Sequence, residues 1–415
     1  MSDLAYDALI VGAGPAGLAA AYRATTAGLR VAVIDDNPNA GGQIWRGEQK
    51  KATSPEAREW FERIRRADID FIYGARVFQQ IAPDVLLAET LRGVVELSYR
   101  NLILATGARE RFLPFPGWTL PNVIGAGGLQ ALVKTGLSIE NKKVVIAGSG
   151  PLLLAVGAYL CDRGANVLLI AEQASSMQLG RFGAGLLRAG KAAQAFELKR
   201  RLKGVRFHYR TWVVAAHGDE KLTSVTLRSG GKHWRVECDY LACGFHLVPN
   251  LELAELLGCA IENGAVSVDE FQQTSVAHVY AAGEATGIGG LDLSLVEGEI
   301  AGLAAAERRA DAQRLFGARA KGREFARILN QTFALRQELR ELPQGETVVC
   351  RCEDVSFGRL KSYESWRAAK LQTRCGMGPC QGRVCGPAVE FLFGWEVESV
   401  RPPVFPVRVQ SLATE

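Results

Sequence analysis

The chain has 415 residues, 48% hydrophobic and 22% charged, with nine cysteines and a formal charge of +5. That much apolar material can build two or three cores, and the composition excludes a disordered or fibrous chain. The charge is too mild to mark a nucleic-acid-binding protein.

No basic lead, apolar run and cleavage site open the sequence, and the longest apolar run, PLLLAVGAYLC ending before Asp162, is too short to span a bilayer. A cytoplasmic location is expected, with any membrane association arising through partners. In a reducing compartment, clustered cysteines serve more often as ligands or redox groups than as structural disulfides.

The first predicted unit is a βαβ motif, YDALIVGAGPAGLAAAYRATTAGLRVAVIDDN. An apolar strand runs from Ala8 to Val11 into Gly12-Ala13-Gly14-Pro15-Ala16-Gly17. An alanine-rich helix follows, and a second strand, Val31 to Ile34, ends at Asp35 and Asp36. Gly12 allows the tight turn, Gly14 lets the backbone approach a pyrophosphate, and Gly17 lets the helix pack close to the strand. The helix start presents free N–H groups and the positive end of its dipole to the phosphates, and Asp35 is spaced to accept from the adenosine ribose.

Further on, Asn101 to Gly117 reads as a buried strand ending in Ala105-Thr106-Gly107. A second βαβ motif begins at Asn141. Gly148 and Gly150 keep the turn and the close approach, but Leu153 stands at the third glycine position. Leucine there is expected to push the helix off the strand and narrow the phosphate cleft. The acid is displaced too: the equivalent position is Ala171, with Glu172 one residue later, and one residue of slip turns a side chain to the other face. This half is a dinucleotide fold by architecture, and its cofactor stays open between NAD(P), another adenine nucleotide and none.

The basic run Lys199 to Arg210 lacks interleaved stacking aromatics and reads as a solvated or partner-facing surface. A β-rich stretch, Val205 to Phe245, completes the inserted domain; His246 after it reads as a structural histidine. Cys161, Cys238, Cys243 and Cys259 form no Cys-x-x-Cys pair, which argues against a disulfide reductase and for buried core thiols. Val266 to Glu284 returns to the first domain, with a strand, the turn Gly283-Glu284 and a long helix.

The tail holds the other five cysteines. Cys350 and Cys352 are two apart, which on an extended backbone puts both side chains on one side. Cys375, Cys380 and Cys385 follow in a Gly- and Pro-rich segment able to wrap a compact anion. Thiolates select zinc, copper(I) or iron–sulfur clusters, and four suit either [2Fe–2S] or structural zinc.

Cys350-x-Cys352 followed by TRCGMGPCQGRVC resembles the bacterioferritin-associated-ferredoxin-type [2Fe–2S] domain fused to flavoproteins. With ATGARERFLPFPGWTLPNV (Ala105 to Val123), nearly the whole chain resembles one flavoprotein family. Its members are the α subunits of octopine and nopaline oxidases, D-hydroxyproline dehydrogenase, dye-linked proline dehydrogenases and hydrogen cyanide synthase.

The resemblance implies an α/β fold with two Rossmann-like dinucleotide-binding domains. FAD would bind in a discontinuous domain, residues 1–112 and 251–315, around an inserted NAD(P)-like domain, 113–250; a linker helix and [2Fe–2S] domain would occupy 316–415. Gly42 and Gln43 match the family's stretch near the flavin, and Glu284 stands where relatives bind the ribityl chain, usually with Asp. Cys350, Cys352, Cys380 and Cys385 are the implied cluster ligands, with Cys375 a spare thiol. The resemblance also implies a D-amino-acid-oxidase-like β subunit, with room for a small ferredoxin-like third subunit. It allows a second flavin (FMN) or an adenine nucleotide near a partner interface, with a quinone or other carrier as acceptor. No catalytic acid–base or nucleophilic group is assigned.

Overall fold

The computed structural model describes residues 4–49, 54–188, 190–396 and 400–413. The chain divides into two compact units. One comprises Met1–Arg109, Val248–Ala326 and Ser399–Glu415; the other comprises Glu110–Leu247 and Arg327–Glu398. The segment expected to be a separate terminal domain is therefore shared: the thiol-bearing part belongs with the second dinucleotide fold and the last residues with the first.

The first unit is built on a seven-stranded sheet. Strands Ile69–Tyr73, Val31–Asp35, Leu4–Val11, Gly93–Leu104 and Val279–Ala281 run parallel, and Val85–Thr90 and Arg76–Ala82 continue the sheet antiparallel. The central strands are apolar on both faces, as a parallel sheet covered on both sides requires. One core packs under the helices and a second fills the opposite face.

Helix Pro15–Thr26 starts with proline in its first turn, whose fixed φ suits a helix start. It pairs with helix Leu291–Ala305, where glycines replace larger residues on the contact face. A Cβ on Gly298 would lie 2.1 Å from the Ala16 carbonyl oxygen, and one on Gly302 2.3 Å from that of Ala20. This pairing brings the turn before Leu291 up to the first glycine loop.

The second unit has a five-stranded parallel sheet in the order Arg206–Tyr209, Asn166–Glu172, Lys143–Ser149, Tyr240–Phe245, Val123–Gly125. An antiparallel ribbon of three strands lies within the same unit, Thr211–His217, Ser224–Ser229 and Lys232–Glu237. The thiol segment adds the small hairpin Val348–Cys350 with Val355–Ser356 and helices Trp366–Thr373 and Cys385–Phe393 around its own apolar cluster. It is tied to the rest of the unit by the Trp118 indole, which donates to the Val348 carbonyl at 2.5 Å, and by Arg111 facing Glu390 at 4.0 Å.

Candidate functional site

In the first unit the glycine loop is shaped by contacts that no side chain would survive. A Cβ on Gly12 would meet the Ala105 carbonyl oxygen at 2.2 Å, and one on Gly17 that of Gly12 at 1.8 Å. Gly14 differs, because a Cβ there meets only the Gly42 Cα, at 3.9 Å. Gly14 and Gly42 pack backbone against backbone, a Cβ on Gly42 lying 3.0 Å from the Gly14 Cα, beside the helix start at Pro15 and Ala16. The helix N-terminus is thereby kept free of side chains at the place where a pyrophosphate would approach.

Asp35 stands at the end of its strand, one place beyond the Val11–Ile34 pair. Its carboxylate accepts from the Ala13 N–H at 2.6 Å and from the Asn37 N–H at 2.8 Å, so it also braces the glycine loop. Asp36 pairs with Arg76 at 3.1 Å. Gln43 is exposed and accepts from Arg46, which also donates to Asn37.

Two residues that sequence reasoning missed hold the other walls. Asn250 donates to the Thr106 carbonyl at 2.9 Å, and its backbone carbonyl accepts from the Thr106 hydroxyl at 2.8 Å. Its N–H bonds the Gly107 carbonyl, so the Ala105-Thr106-Gly107 turn is clamped from a residue far along the chain. Glu297 is buried and accepts from the Gly283 N–H at 3.2 Å and the Thr286 hydroxyl at 2.8 Å, with Arg323 as its ion partner at 3.4 Å. Burial raises the Glu297 carboxyl, against the pull of those donors. Gly283 has φ +73, and a Cβ there would lie 2.7 Å from that of Ala16. Glu284, next in the turn, is also raised by burial, with the Gly290 N–H opposing. A Glu in the middle of a largely apolar helix was the available signal for Glu297; Asn250 had none.

The second fold corrects two expectations. A β-bulge between Val167 and Leu169 absorbs the extra residue, so Glu172 pairs with Gly148 just as Asp35 follows opposite Gly12. The acid is not displaced. The Leu153 side chain does not narrow the cleft either; it is buried in the core with Val144, Ile146 and Val156. The close approach falls one turn later at Gly157, where a Cβ would meet Ile170, Leu202 and Ile146 side-chain ends at 3.0–3.2 Å.

What separates the two folds lies above the loop. Glu172 accepts from the Gly150 N–H at 2.8 Å and the Ala174 N–H at 2.9 Å, and burial pushes its carboxyl up to about 7. Ser149 donates to the Phe333 carbonyl at 3.1 Å. Gln173 donates to the Ser149 hydroxyl at 2.9 Å and the Ala334 carbonyl at 3.2 Å, and accepts from the Arg336 N–H at 3.2 Å. Ser149 and Gln173 sit at the carboxyl ends of neighbouring parallel strands, the place where such folds receive dinucleotides. The chain's own linker, Phe333–Arg336, bonds both residues there, while Gly150 stays open, a Cβ on it meeting nothing within 4 Å. His246 is half-buried, with its Nδ1 accepting from the Leu247 N–H at 2.7 Å; desolvation and then Arg111 lower its pKa, and a hydrogen bond with Asn330 opposes them.

The tail thiols converge. The Sγ atoms of Cys350, Cys375 and Cys385 all lie within 4.8 Å of one another, and all three residues are buried. Cys380 contacts Cys385 and Cys352, which extends the group to five thiols. The strand ends at Cys350 and the chain turns, so the side chains of Cys350 and Cys352 differ: the first is buried and the second exposed. The Gly376 N–H points at the Cys350 sulfur at 3.5 Å. Hydrogen bonds from Cys375, then Cys385, hold Cys350 down to about 2. A buried all-sulfur donor set with a backbone N–H aimed at it fits a [2Fe–2S] group, and fits zinc equally by ligand type. Cys161, Cys238, Cys243 and Cys259 are free and lie apart from this group; burial raises all four, Cys238 to about 12.

Two glycine-loop folds, the first with an open cradle closed by Ala-Thr-Gly and Gly-Glu turns, define a flavoprotein-type oxidoreductase. Residues 6–310 match the model of the pyridine nucleotide-disulphide oxidoreductase family. The chain belongs to that family, and within it to the FAD-dependent oxidoreductases related to subunits of opine oxidase and hydrogen cyanide synthase. It is 32% identical to an opine oxidase subunit of Rhizobium meliloti, over 98% of this chain and 87% of that one. It is 32% identical to hydrogen cyanide synthase subunit HcnB of Pseudomonas aeruginosa, over 91% of this chain and 90% of that one. Among solved structures, an L-proline dehydrogenase from P. horikoshii shares the fold along the whole chain, covering 80% of its own length, with a TM-score of 0.70 at 19% identity. Thioredoxin reductase of T. acidophilum matches 74% of this chain and 99% of its own, with a TM-score of 0.58 at 20% identity. Among the described residues no helix is long and apolar enough to cross a membrane.

Proposed function

We propose that this chain is the FAD- and [2Fe–2S]-bearing electron-transfer subunit of a hetero-oligomeric amino-acid or opine dehydrogenase. The observation that carries it is the convergence of three buried thiols, with Cys380 and Cys352 beside them, in a chain that also keeps the glycine loop of its first fold. Its similarity along nearly its whole length to proteins named as subunits supports the assignment.

Gly12, Gly14, Pro15, Ala16, Gly17, Asp35 and Asp36 would hold the adenosine and pyrophosphate of FAD. Gly42, Gln43, Ala105, Thr106, Gly107, Gly283 and Glu284 would line the rest of it. Cys350, Cys352, Cys380 and Cys385 would hold the cluster. A flavin takes two electrons as a hydride and a [2Fe–2S] cluster carries them singly, so the two together suit a relay between an organic substrate and a one-electron carrier. A partner of the D-amino-acid-oxidase type would oxidise the carbon bearing nitrogen, with a quinone or dye-type molecule as final acceptor. Within this chain, Glu297 and Asn250 keep the cradle turns rigid. The linker over the second glycine loop weighs against a self-contained NAD(P)H reductase.

The test is anaerobic purification with flavin, iron and sulfide analysis, then a panel of opines, proline derivatives and D-amino acids with and without the co-encoded oxidase-like subunit. Expected are bound FAD, about two irons and two sulfides per chain, and dye reduction only with the partner. Stoichiometric zinc without sulfide, or substrate oxidation by this chain alone, would overturn the proposal.

A further inference from the structure

We infer that Cys375 is a reserve ligand of the thiol centre, able to take the place of Cys385 beside Cys350. This rests on the [2Fe–2S] reading above and adds a property that the reading does not contain: two alternative four-thiolate sets in one pocket.

A buried cysteine is ordinarily a small apolar filler. Cys375 is fully buried, but its surroundings are specific. Helix Trp366–Thr373 stops at Arg374, whose φ of +65 reverses the chain, and Gly376 follows at φ +80. A Cβ on Gly376 would strike the Trp366 ring at 2.6 Å, so the turn is packed tight and has one course. The Cys375 N–H donates to the Thr373 hydroxyl at 3.2 Å, which fixes the residue's orientation. The turn thereby aims the Cys375 sulfur and the Gly376 N–H at the same atom, the Cys350 sulfur.

Cys375 and Cys385 come to Cys350 from separate elements, the end of one helix and the start of another, and all three sulfurs share a 4.8 Å neighbourhood. A metal bound to Cys350 is within reach of either. Cys352 and Cys380, in contact with each other, complete the set in both cases. In an exchange the iron–sulfur bond to Cys385 breaks and that thiolate takes up a proton, while the Cys375 thiol releases one as its bond to iron forms. Charge and oxidation state are unchanged, so no oxidant or reductant is required.

The experiment compares wild type, Cys375→Ser, Cys385→Ser and Cys375→Ser/Cys385→Ser, all prepared anaerobically. The readouts are iron and sulfide per chain, visible circular dichroism, and electron paramagnetic resonance after dithionite reduction. Cys385→Ala serves as a second variant should the serine form not fold. Each single variant is expected to retain wild-type iron and sulfide, with a shifted resonance in Cys385→Ser or Cys385→Ala and a near-unchanged one in Cys375→Ser. The double variant is expected to lose the cluster. If both folded Cys385 variants lose iron and sulfide as fully as the double variant, the reserve role is overturned while the cluster reading stands. A double variant that keeps the cluster also overturns it. Wild type without iron and sulfide removes the reading beneath it.

Discussion

The two dinucleotide folds share plan, strand register and a bracing acid, yet differ in what lies over the glycine loop. In the first, Gly14 packs against the Gly42 backbone, with Asp35 holding the loop from the side. In the second, Ser149 and Gln173 at the strand ends bond to Phe333, Ala334 and Arg336 of the linker. Duplicated architecture does not carry duplicated binding. A fold can keep its loop, its bulge-corrected acid and its helix, and still spend the polar groups at its strand ends on its own chain.

The sharpest way to break this comparison is to fill each loop in turn. Gly14→Val meets no protein atom closer than 3.9 Å at its Cβ, and Gly14 has φ −75, so the variant should fold. Its side chain would stand at the helix start where the pyrophosphate approaches, and FAD affinity should fall by roughly a hundredfold or more, about 3 kcal/mol. Gly150→Val should leave flavin content unchanged in whatever fraction folds. Equal flavin loss in both, measured by absorbance of gel-filtered folded protein, would mean that the first loop is not the cradle.

Next in size is the response to nicotinamide nucleotides. Mixed anaerobically in a stopped-flow cell, NADH and NADPH should leave the flavin oxidised on the timescale in which dithionite bleaches it. Rapid, saturable bleaching would show that the linker does not guard the second fold.

The bracing acids supply a third test. The Glu172 carboxyl titrates at about 7 in the folded chain because burial outweighs its two N–H donors. Its unfolded value lies near 4.3. A raised carboxyl stabilises the fold below the unfolded pKa, and that stability is lost as pH rises through about 7. Wild type should therefore lose on the order of 3 kcal/mol between these limits. Glu172→Gln should lack that slope, so the gap in thermal midpoint between the two proteins should narrow from acid to neutral pH. Parallel midpoints would show that Glu172 is ionised when buried.

The smallest effect contrasts the two glycine-loop helices. Gly157→Ala presses only on movable side-chain ends, at 3.0–3.2 Å, and should cost about 1 kcal/mol or less. Gly298→Ala drives a methyl into the Ala16 backbone and should cost several-fold more. Urea midpoints of the two variants decide it, and similar values would sink the claim that backbone contact sets the first helix pair.

The residues of the first fold were readable in the chain because its geometry is local: glycines at fixed spacing admit a turn, and a strand of known length brings Asp35 opposite. The thiols too announced themselves by type and spacing, which is all that ligand chemistry demands. What spacing cannot carry is anything that depends on a distant segment. Counting residues placed Glu172 on the wrong face because a bulge in its strand leaves no mark in composition. It set Leu153 in the phosphate cleft because it could not show a core that takes in that side chain. Asn250 braces a turn 144 residues away in sequence, so no motif includes it, whereas Glu297 braces the turn just before its own helix. Cys375 looked surplus until a left-handed residue at Arg374 turned its sulfur towards Cys350 and Cys385. The amino-acid sequence by itself determined which chemistry the chain can offer, since that follows from residue type and local period. Only tertiary packing decided which strand ends bond to the linker and which thiols meet, because both depend on where the linker and the helix ends come to rest.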